Sequence, residues 1–491
     1  MHDWDALEPG AGGQTGTGGH TGTGGQTTGT GGQTTGGTGG APEEACPPLD
    51  PLVDPADPKI LYVSATGSNA GDGTEAQPLS DLATAIAKLG ADGGVIYMMG
   101  GEPFPPQNAG TASGTIERPI RIRAAPGQKP VIVGDGATTG ETAALYFDHA
   151  DHLSIEGVEI HSARYGIRVY EQVHDFTVRG CDLHDIAGTA IHAFGADMRF
   201  EANHLKTVAT AGDRSCLEII RNLHGPNPAL RAAGVAIRGN VIEDCRDTGI
   251  FVILSDGVIV DRNFVEAPLG GGVYLANSSA TPSVISRNFV RASRGVVLAD
   301  SVYSDPSNMA LTPAKDVRVE NNILATTLGA IVFWFEEKDP NFLPTEIRTY
   351  SNLTLRHNTI LARRAPQQTL DAQAIGLAHV LPSAPAPKGC LAASNVLIED
   401  DPSSGDAQNI ADGWTFQDNL WSPQKPILAG PLDVEETESQ LGVPDAVTTP
   451  EDVIPLAQKS GHGSPTDLTT DFYCHPRNPE SPARGAIEPQ N

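Results

Sequence analysis

Three ionisable residues recur at the same position of a repeated strand-like pattern. They are Arg168, His192 and Glu218, in the segments GIRVY, AIHAF and CLEII. If these segments stack as parallel strands, their third residues face the same side and lie about 4.8 Å apart. Arginine can neutralise a substrate carboxylate, histidine can act as a general base, and tyrosine or arginine can protonate a leaving oxygen. We therefore predict a catalytic set suited to acid–base chemistry on an anionic substrate.

Aromatic and polar residues surround this set. Outward tyrosine and phenylalanine rings offer stacking faces for sugars, and loops on a rigid scaffold commonly carry binding residues. The predicted substrate-binding residues are Tyr146, Tyr170, Phe194, Arg214, Arg221, His224 and Tyr274, with Asp213 and Arg231 on the same loops. The alternative is an ordinary ladder of opposite charges on a solvated sheet. We interpret a second outward column as such a structural ladder: His161, His184, Lys206, Glu243, Glu266 and Arg291.

The strands that position these residues belong to a longer repeat. Each unit has an alternating strand, one polar turn position and a second alternating strand. The turn positions, 22 to 37 residues apart, are Cys181, Asn203, Asn240, Asn263, Asn288, Asn322 and Asn358. Asparagine tolerates the left-handed conformation, and its amide can bond to the same residue one coil above and below. We predict an asparagine ladder, extended by Val158, Asn395 and Asn419.

Each unit adds a third strand of the form G-I-x-V-x, from GIRVY to AIVFW. Its second and fourth residues are apolar and point to one side, so that they would form a core. Strands stacked in coils leave no long free edge along the solenoid. A small coil also needs no bulky aromatic core, in agreement with an aromatic content of 5%.

The first ordered segment and the C-terminal tail resemble a known superfamily. From residue 58 the chain has ILYVS, a Gly/Asp turn and LATAIAKL, whose apolar residues have helical spacing. This opening resembles that of bacterial secreted proteins of the pectate-lyase-like superfamily, in which a short helix caps the solenoid. The C-terminal tail DFYCHPRNPESPARGAIE resembles the tail of the same bacterial proteins, except that Cys474 stands at a position where they have glycine. The resemblance, over about residues 58–489, implies an all-β fold: a single-stranded right-handed parallel β-helix, three strands per coil, about ten coils, with an N-terminal capping helix.

The same resemblance suggests a function without assigning an enzyme family. In the pectate and other polysaccharide lyases of this superfamily, the corresponding sheet lines the groove that holds the sugar chain. We expect an extracellular carbohydrate-active protein, a candidate lyase for an acidic polysaccharide; the alternative is a non-catalytic surface protein that binds glycan or another cell. The chain has neither a W-x-x-H element nor the N-T-D and D-D pair of polygalacturonases. Neither the lysine-based lyase mechanism nor a paired-carboxylate hydrolase can therefore be transferred.

Charge limits the partners. The formal net charge is −28, which argues against nucleic acid and anionic membrane surfaces, because both require clustered Lys and Arg. We expect a polysaccharide or other extracellular glycan as partner, and a monomer. No cofactor is assigned. Calcium is considered at Asp148–His152 and Asp182–Asp185, although side chains that alternate along a strand do not converge on one ion.

Residues 1–57 are predicted to be a disordered tether, because their Gly/Thr-rich sequence cannot bury a core. The first ten residues lack the basic and apolar regions of a signal peptide, which a start codon placed downstream of the true signal would explain. The chain has no apolar run long enough to span a membrane. The tether resembles the spacers that follow the export signal of bacterial surface lipoproteins, notably those of myxobacteria. We therefore expect a secreted or cell-surface protein.

Six cysteines are present, without the spacing of a structural zinc site. The even number is compatible with disulfides. Cys181, Cys216 and Cys245 fall inside the repeats, where we interpret them as buried thiols. We expect the bridge to join Cys390 and Cys474.

Overall fold

A computed structural model describes residues 46, 48–52, 54, 58–171, 173–211, 215–220, 232–276, 278, 281–300, 314–335, 350–365, 373–378, 388–400, 413–426 and 429–489. Strands pair in parallel with their equivalents one coil above and below. Each coil supplies one strand to each of three sheets. We call them sheet A, before the asparagine turn, sheet B, after it, and sheet C, which carries the candidate site.

The sheets run the length of the solenoid, and a strand named twice bends around a corner. Sheet A contains Ile60–Val63, Gly94–Met98, Ile120–Ala124, Ala143–Glu156, Val173–Arg179, Arg199–Glu201, Ala236–Arg238, Ile259–Asp261, Ser283–Ser286, Val317–Glu320, Thr354–Arg356, Cys390–Ala393 and Trp414–Gln417. Sheet B contains Val131–Val133, Glu159–Ala163, Asp182–Ile186, His204–Val208, Val241–Cys245, Phe264–Ala276, Phe289–Asp300, Ile323–Phe335, Thr359–Ala362, Val396–Glu399, Leu420–Ser422 and Val434–Glu435.

Sheet C contains Gln107–Ser113, Ala143–Glu156, Tyr165–Val169, Ile191–Ala193, Leu217–Ile219, Ile250–Ile253, Phe264–Ala276, Phe289–Asp300, Ile323–Phe335 and Gln373–Ala378. Gly195–Ala196, Ala232–Ala233 and Ser255–Asp256 form a short ladder at the corner towards sheet A. The ten described strands of sheet C agree with the predicted number of coils. The prediction of an all-β parallel β-helix with three strands per coil is confirmed.

The core is the inside of the solenoid. In sheet C the inward residues Ile167, Ile191, Leu217, Ile250 and Val273 lie opposite one another in consecutive coils and are fully buried. Burying a side chain of this size contributes about 1.5–3 kcal/mol. Stability is therefore spread along the solenoid, and the outward residues are held on a rigid support.

The asparagine ladder is also confirmed. From Asn240 onwards, each buried Asn in the column accepts, at Oδ1, both the backbone N–H and the side-chain Nδ2–H of the preceding Asn. Between Asn263 and Asn288 these distances are 3.0 and 2.9 Å. The same pattern continues through Asn322, Asn358, Asn395 and Asn419, and Asp433 ends it by accepting from the Asn419 backbone at 2.9 Å.

One reason given for asparagine at this turn was wrong. The left-handed residue is the one before the ladder position, as in Arg262 (φ 57°) and Arg287 (φ 53°). Asparagine is therefore required for its amide, which donates to a backbone carbonyl of the preceding coil. Asn288 Nδ2, for example, lies 2.9 Å from the Val260 oxygen.

Helices close the N-terminal end and cover one side. The predicted capping helix is present at Leu82–Leu89, and Asp81 Oδ1 accepts from the Thr84 N–H at 2.7 Å. Three helical segments that the sequence analysis missed, Glu438–Leu441, Pro450–Val453 and Ile454–Lys459, lie near the C-terminus. Their apolar residues form a second core with sheet B, in which Leu441 and Leu456 pack with Phe289 and Leu361.

The cysteine pairing differs from expectation. Cys46 is bonded to Cys474, and Cys216 is bonded to Cys245, while Cys181 and Cys390 are buried thiols. Cys216 precedes a sheet C strand and Cys245 ends a sheet B strand, so they meet across a corner. The pair Cys390–Cys474 was wrong, because the tail places Cys474 beside residues preceding the first strand.

The tether was predicted for residues 1–57, but Leu52 and Asp54 bind Arg121, and Cys46 is bonded to Cys474. The tether stays a prediction for residues 1–45, which lie outside the described ranges. In the described part of the chain, no helix is long and apolar enough to cross a membrane.

Candidate functional site

Sheet C brings the predicted catalytic residues into one column. Tyr146 pairs with Arg168, Arg168 with His192, and His192 with Glu218 in parallel register. Neighbouring strands are about 4.8 Å apart. Residues separated by 22 to 26 positions in sequence are thus direct neighbours on one surface.

Arg168 is held from two sides. Its guanidinium forms an ion pair with Glu141 Oε2 at 2.6 Å and donates to the Glu141 carbonyl at 2.8 Å. Its Cζ lies 4.6 Å from the centroid of the Tyr165 ring, which is a cation–π distance. The Glu141 side chain is 60% exposed. An exposed partner of this kind adds little stability, so a ligand carboxylate can replace it.

Tyr165 and Thr189 were missed by sequence reasoning. They lie at equivalent positions at the start of a coil's sheet C segment, where strand alternation does not predict direction. Tyr165 is buried and packs its edge against His192, with ring centroids 6.0 Å apart. Thr189 donates its hydroxyl to Glu218 Oε2 at 3.1 Å, and Glu218 is only 6% exposed. One tyrosine ring therefore contacts both the cation and the candidate base.

Tyr146 continues the column beyond Arg168. Burial and a hydrogen bond to the Asp148 carboxylate raise the pKa of Tyr146 to about 12, although the nearby Arg168 opposes the change. The phenol therefore keeps its proton at any physiological pH. Beside it Tyr170 is 41% exposed. This end of the sheet offers a proton donor next to an open aromatic face.

The structure corrects one predicted residue. Phe194 is 5% exposed and belongs to the main core, so it cannot be a stacking face for a sugar. The sheet C strand ends at Ala193, and beyond that point the alternation of inward and outward side chains no longer applies. Tyr274 does face outward and stacks on Phe251 at 4.7 Å. Arg214, Arg221 and His224, with Asp213 and Arg231, lie outside the described residues.

The second outward column, on sheet B, is a ladder of paired charges. The rings of His161 and His184 stack at 4.9 Å. His184 lies 2.8 Å from Asp185, and His204 lies 3.4 Å from Asp182 and 3.3 Å from Glu243. Across the ranges described above, no group of three or more His, Cys, Asp or Glu residues could hold a metal ion.

Folding stability should depend on pH through His204. The hydrogen bond to Asp182 raises the pKa of His204, against the effect of burial, and Glu243 adds to the increase. Because its pKa is higher in the folded state, His204 adds to the free energy of unfolding. This contribution is complete below the ordinary pKa of 6.5 and is lost as the pH rises through the raised pKa. We expect His204→Gln to lower the free energy of unfolding by about 1 kcal/mol near pH 5.5 and by almost nothing near pH 9.

Urea unfolding at several pH values measures this difference. The exposed His462, changed in the same way, serves as the control and should leave the pH dependence unaltered. A His204→Gln effect that is equal at both pH values would contradict the assignment.

Comparisons with known proteins agree with the coil geometry. A family described as "Right handed beta helix region" matches residues 138–290. No curated protein matches the sequence. Similar solved structures include a GH136 lacto-N-biosidase from Eubacterium ramulus, with 15% identity, coverage of 77% of this chain and 67% of that chain, and a TM-score of 0.48. XylC in complex with xylose has 12% identity, coverage of 88% and 98%, and a TM-score of 0.49.

Pectate lyase Pel9A has 14% identity, coverage of 88% and 96%, and a TM-score of 0.46. The family match supplies the hand of the solenoid, which strand pairing alone does not state. From this match and its three parallel sheets, the fold of the chain is a right-handed parallel β-helix.

Proposed function

We propose that sheet C is the substrate surface of an extracellular carbohydrate-active protein, and that this protein cleaves an acidic polysaccharide by β-elimination. The observation that carries the proposal is the column Tyr146–Arg168–His192, a proton donor, a cation and a base in register on neighbouring strands. Glu218 extends the column on the side of the base.

Each residue has a separate step. Arg168 exchanges Glu141 for the uronate carboxylate and thereby acidifies the adjacent C–H. His192 takes that proton, the C–H electron pair becomes the new C=C bond, and the C–O bond to the leaving sugar breaks. Tyr146 supplies the proton to the leaving oxygen. The Glu218 carboxylate favours the imidazolium that forms on His192.

Binding would extend along the sheet on both sides of these residues. Tyr170 and Tyr274 offer the aromatic faces, and the Arg214, Arg221 and His224 side chains are proposed as further contacts from the flanking segments. Two disulfides support an oxidising compartment, in agreement with an extracellular location. The tether proposed for residues 1–45 would hold the protein at a surface.

The test is a substrate screen with the full chain. Uronate polysaccharides are incubated with the protein, and unsaturated products are followed by ultraviolet absorbance, with a reducing-end assay in parallel. We expect ultraviolet-absorbing products from at least one of them. New reducing ends without absorbance would indicate a hydrolase and contradict elimination.

Glycan binding without chemistry is the second candidate. It is favoured by the exposed Tyr170 and by the Phe251–Tyr274 stack, which can hold a sugar chain without any proton transfer. Retained binding with no product in either assay would support this function instead.

A further inference from the structure

A strap, defined as residues 46–54 and described at 46, 48–52 and 54, lies on sheet A before the first strand begins. Arg121 donates to the Leu52 carbonyl at 2.9 Å and pairs with the Asp54 carboxylate. Arg123 also pairs with Asp54, at 3.1 Å. At its other end the strap is bonded through Cys46 to Cys474 in the C-terminal tail.

The two attachment points are far apart along the solenoid. Arg287 Nη1 lies 3.4 Å from Cys474 Sγ, and Arg287 follows the strand Ser283–Ser286. That strand is six coils beyond Ile120–Ala124, which carries Arg121, a separation of about 29 Å. The eight peptide steps from Cys46 to Asp54 reach at most about 29 Å. The chain between these two residues therefore passes several coils of sheet A.

Charged residues on the outer face of sheet A explain how the strap is seated. Outward residues of alternating sign face one another in register: Arg123, Glu156, Arg179, Glu201, Arg238 and Asp261. Glu201 has no exposed surface, although it points outward, and it pairs with Arg179 and Arg238. Leu52 lines a cleft above this face with Thr177 and Arg199. Buried charges depend on their partners, and for Glu201 the neighbouring strands of sheet A supply them.

Cys474 has a backbone conformation that is typical of glycine. Its φ is 65°, in the left-handed region, where a side chain costs about 1–2 kcal/mol. The cysteine is thus placed against the local conformational preference, and the bond to Cys46 accounts for it.

We propose that the strap and the Cys46–Cys474 disulfide form a clasp that carries mechanical load past the β-helix. Tension between the two ends of the chain reaches Cys46, crosses the disulfide to Cys474, and leaves through the tail. The residues between these cysteines, which are 428 positions apart, are then outside the line of force. The clasp is independent of any activity on sheet C.

Force spectroscopy on the full chain, held by handles at both termini, tests the clasp. With the disulfide intact, we expect extension by only the roughly 60 residues outside the bonded loop, about 220 Å. In the double variant C46S/C474S, about 400 further residues should extend, about 1,400 Å, because the Cys216–Cys245 loop stays closed. The variant C216S/C245S is the matched control and should behave as the unaltered chain does.

The same comparison can be made without a variant, by adding reductant while the unaltered chain is under load, so a folding defect cannot obscure the result. Peptide mapping under non-reducing conditions should find the Cys46 peptide joined to the Cys474 peptide. Full extension of the oxidised chain, or a free Cys46 thiol, would overturn the proposal.

Discussion

Replacing Asn288 by alanine is expected to lower the free energy of unfolding by about 4 kcal/mol. The side chain is fully buried and takes part in four hydrogen bonds. Alanine would remove the acceptor of the Asn263 N–H and one partner of the Val260 carbonyl. Each buried polar group left without its partner costs about 1–3 kcal/mol. The loss exceeds that of a single hydrogen bond because both neighbouring coils are affected.

Urea unfolding followed by circular dichroism measures the change, and amide exchange locates it. The Asn263 amide should exchange faster in Asn288→Ala than amides several coils away, because repeats contact only their neighbours. Asn478→Ala is the matched control: Asn478 is exposed, and its side-chain oxygen accepts from the Glu480 backbone N–H at 3.1 Å. We expect it to cost less than about 1 kcal/mol. Equal costs at the two positions would refute the ladder as a source of stability.

The coil register was predictable because it is encoded locally. Alternation with period two assigns each strand residue to one face of its sheet. The asparagine turn, which recurs in successive coils, then aligns the strands of one coil with those of the next. Arg168, His192 and Glu218 were therefore placed in one column although insertions of different length separate them. The alignment depended on residue type alone and not on loop structure.

The positions that were missed or misplaced lie where alternation stops. Phe194 follows the last residue of its strand and turns into the core, and Tyr165 stands at a coil corner and contacts both Arg168 and His192. Strand periodicity says nothing about a side chain at a corner. Such residues become visible only when neighbouring coils are stacked.

Contacts between distant parts of the chain could not be predicted from the sequence, for a different reason. Cys46 and Cys474 are 428 residues apart, and their meeting depends on how many coils the strap passes. The alternating charges on sheet A were readable, since they occupy one position of successive strands. The full burial of Glu201, whose carboxylate pairs with Arg179 and Arg238, could not be predicted from this alternation.

His192→Ala is expected to reduce turnover of an acidic polysaccharide by about 10²- to 10⁴-fold, the usual contribution of a positioned general base. Tyr146 and Arg168 cannot replace it, because Tyr146 keeps its proton and Arg168 is a cation. Polysaccharide binding should change much less, since Arg168 and the aromatic faces remain. Steady-state kinetics should therefore show the loss in kcat rather than in KM.

His184→Ala is the matched control for this prediction. His184 is also a partly buried histidine in a ladder, stacked on another ring, but it lies on sheet B and not on the proposed substrate surface. Both variants should keep the circular dichroism spectrum of the β-helix, since each removes one outward ring. If His192→Ala and His184→Ala retain activity equally, the base lies elsewhere and the column is a structural ladder. A selective loss in His192→Ala, with binding retained, would separate catalysis on sheet C from simple glycan adhesion.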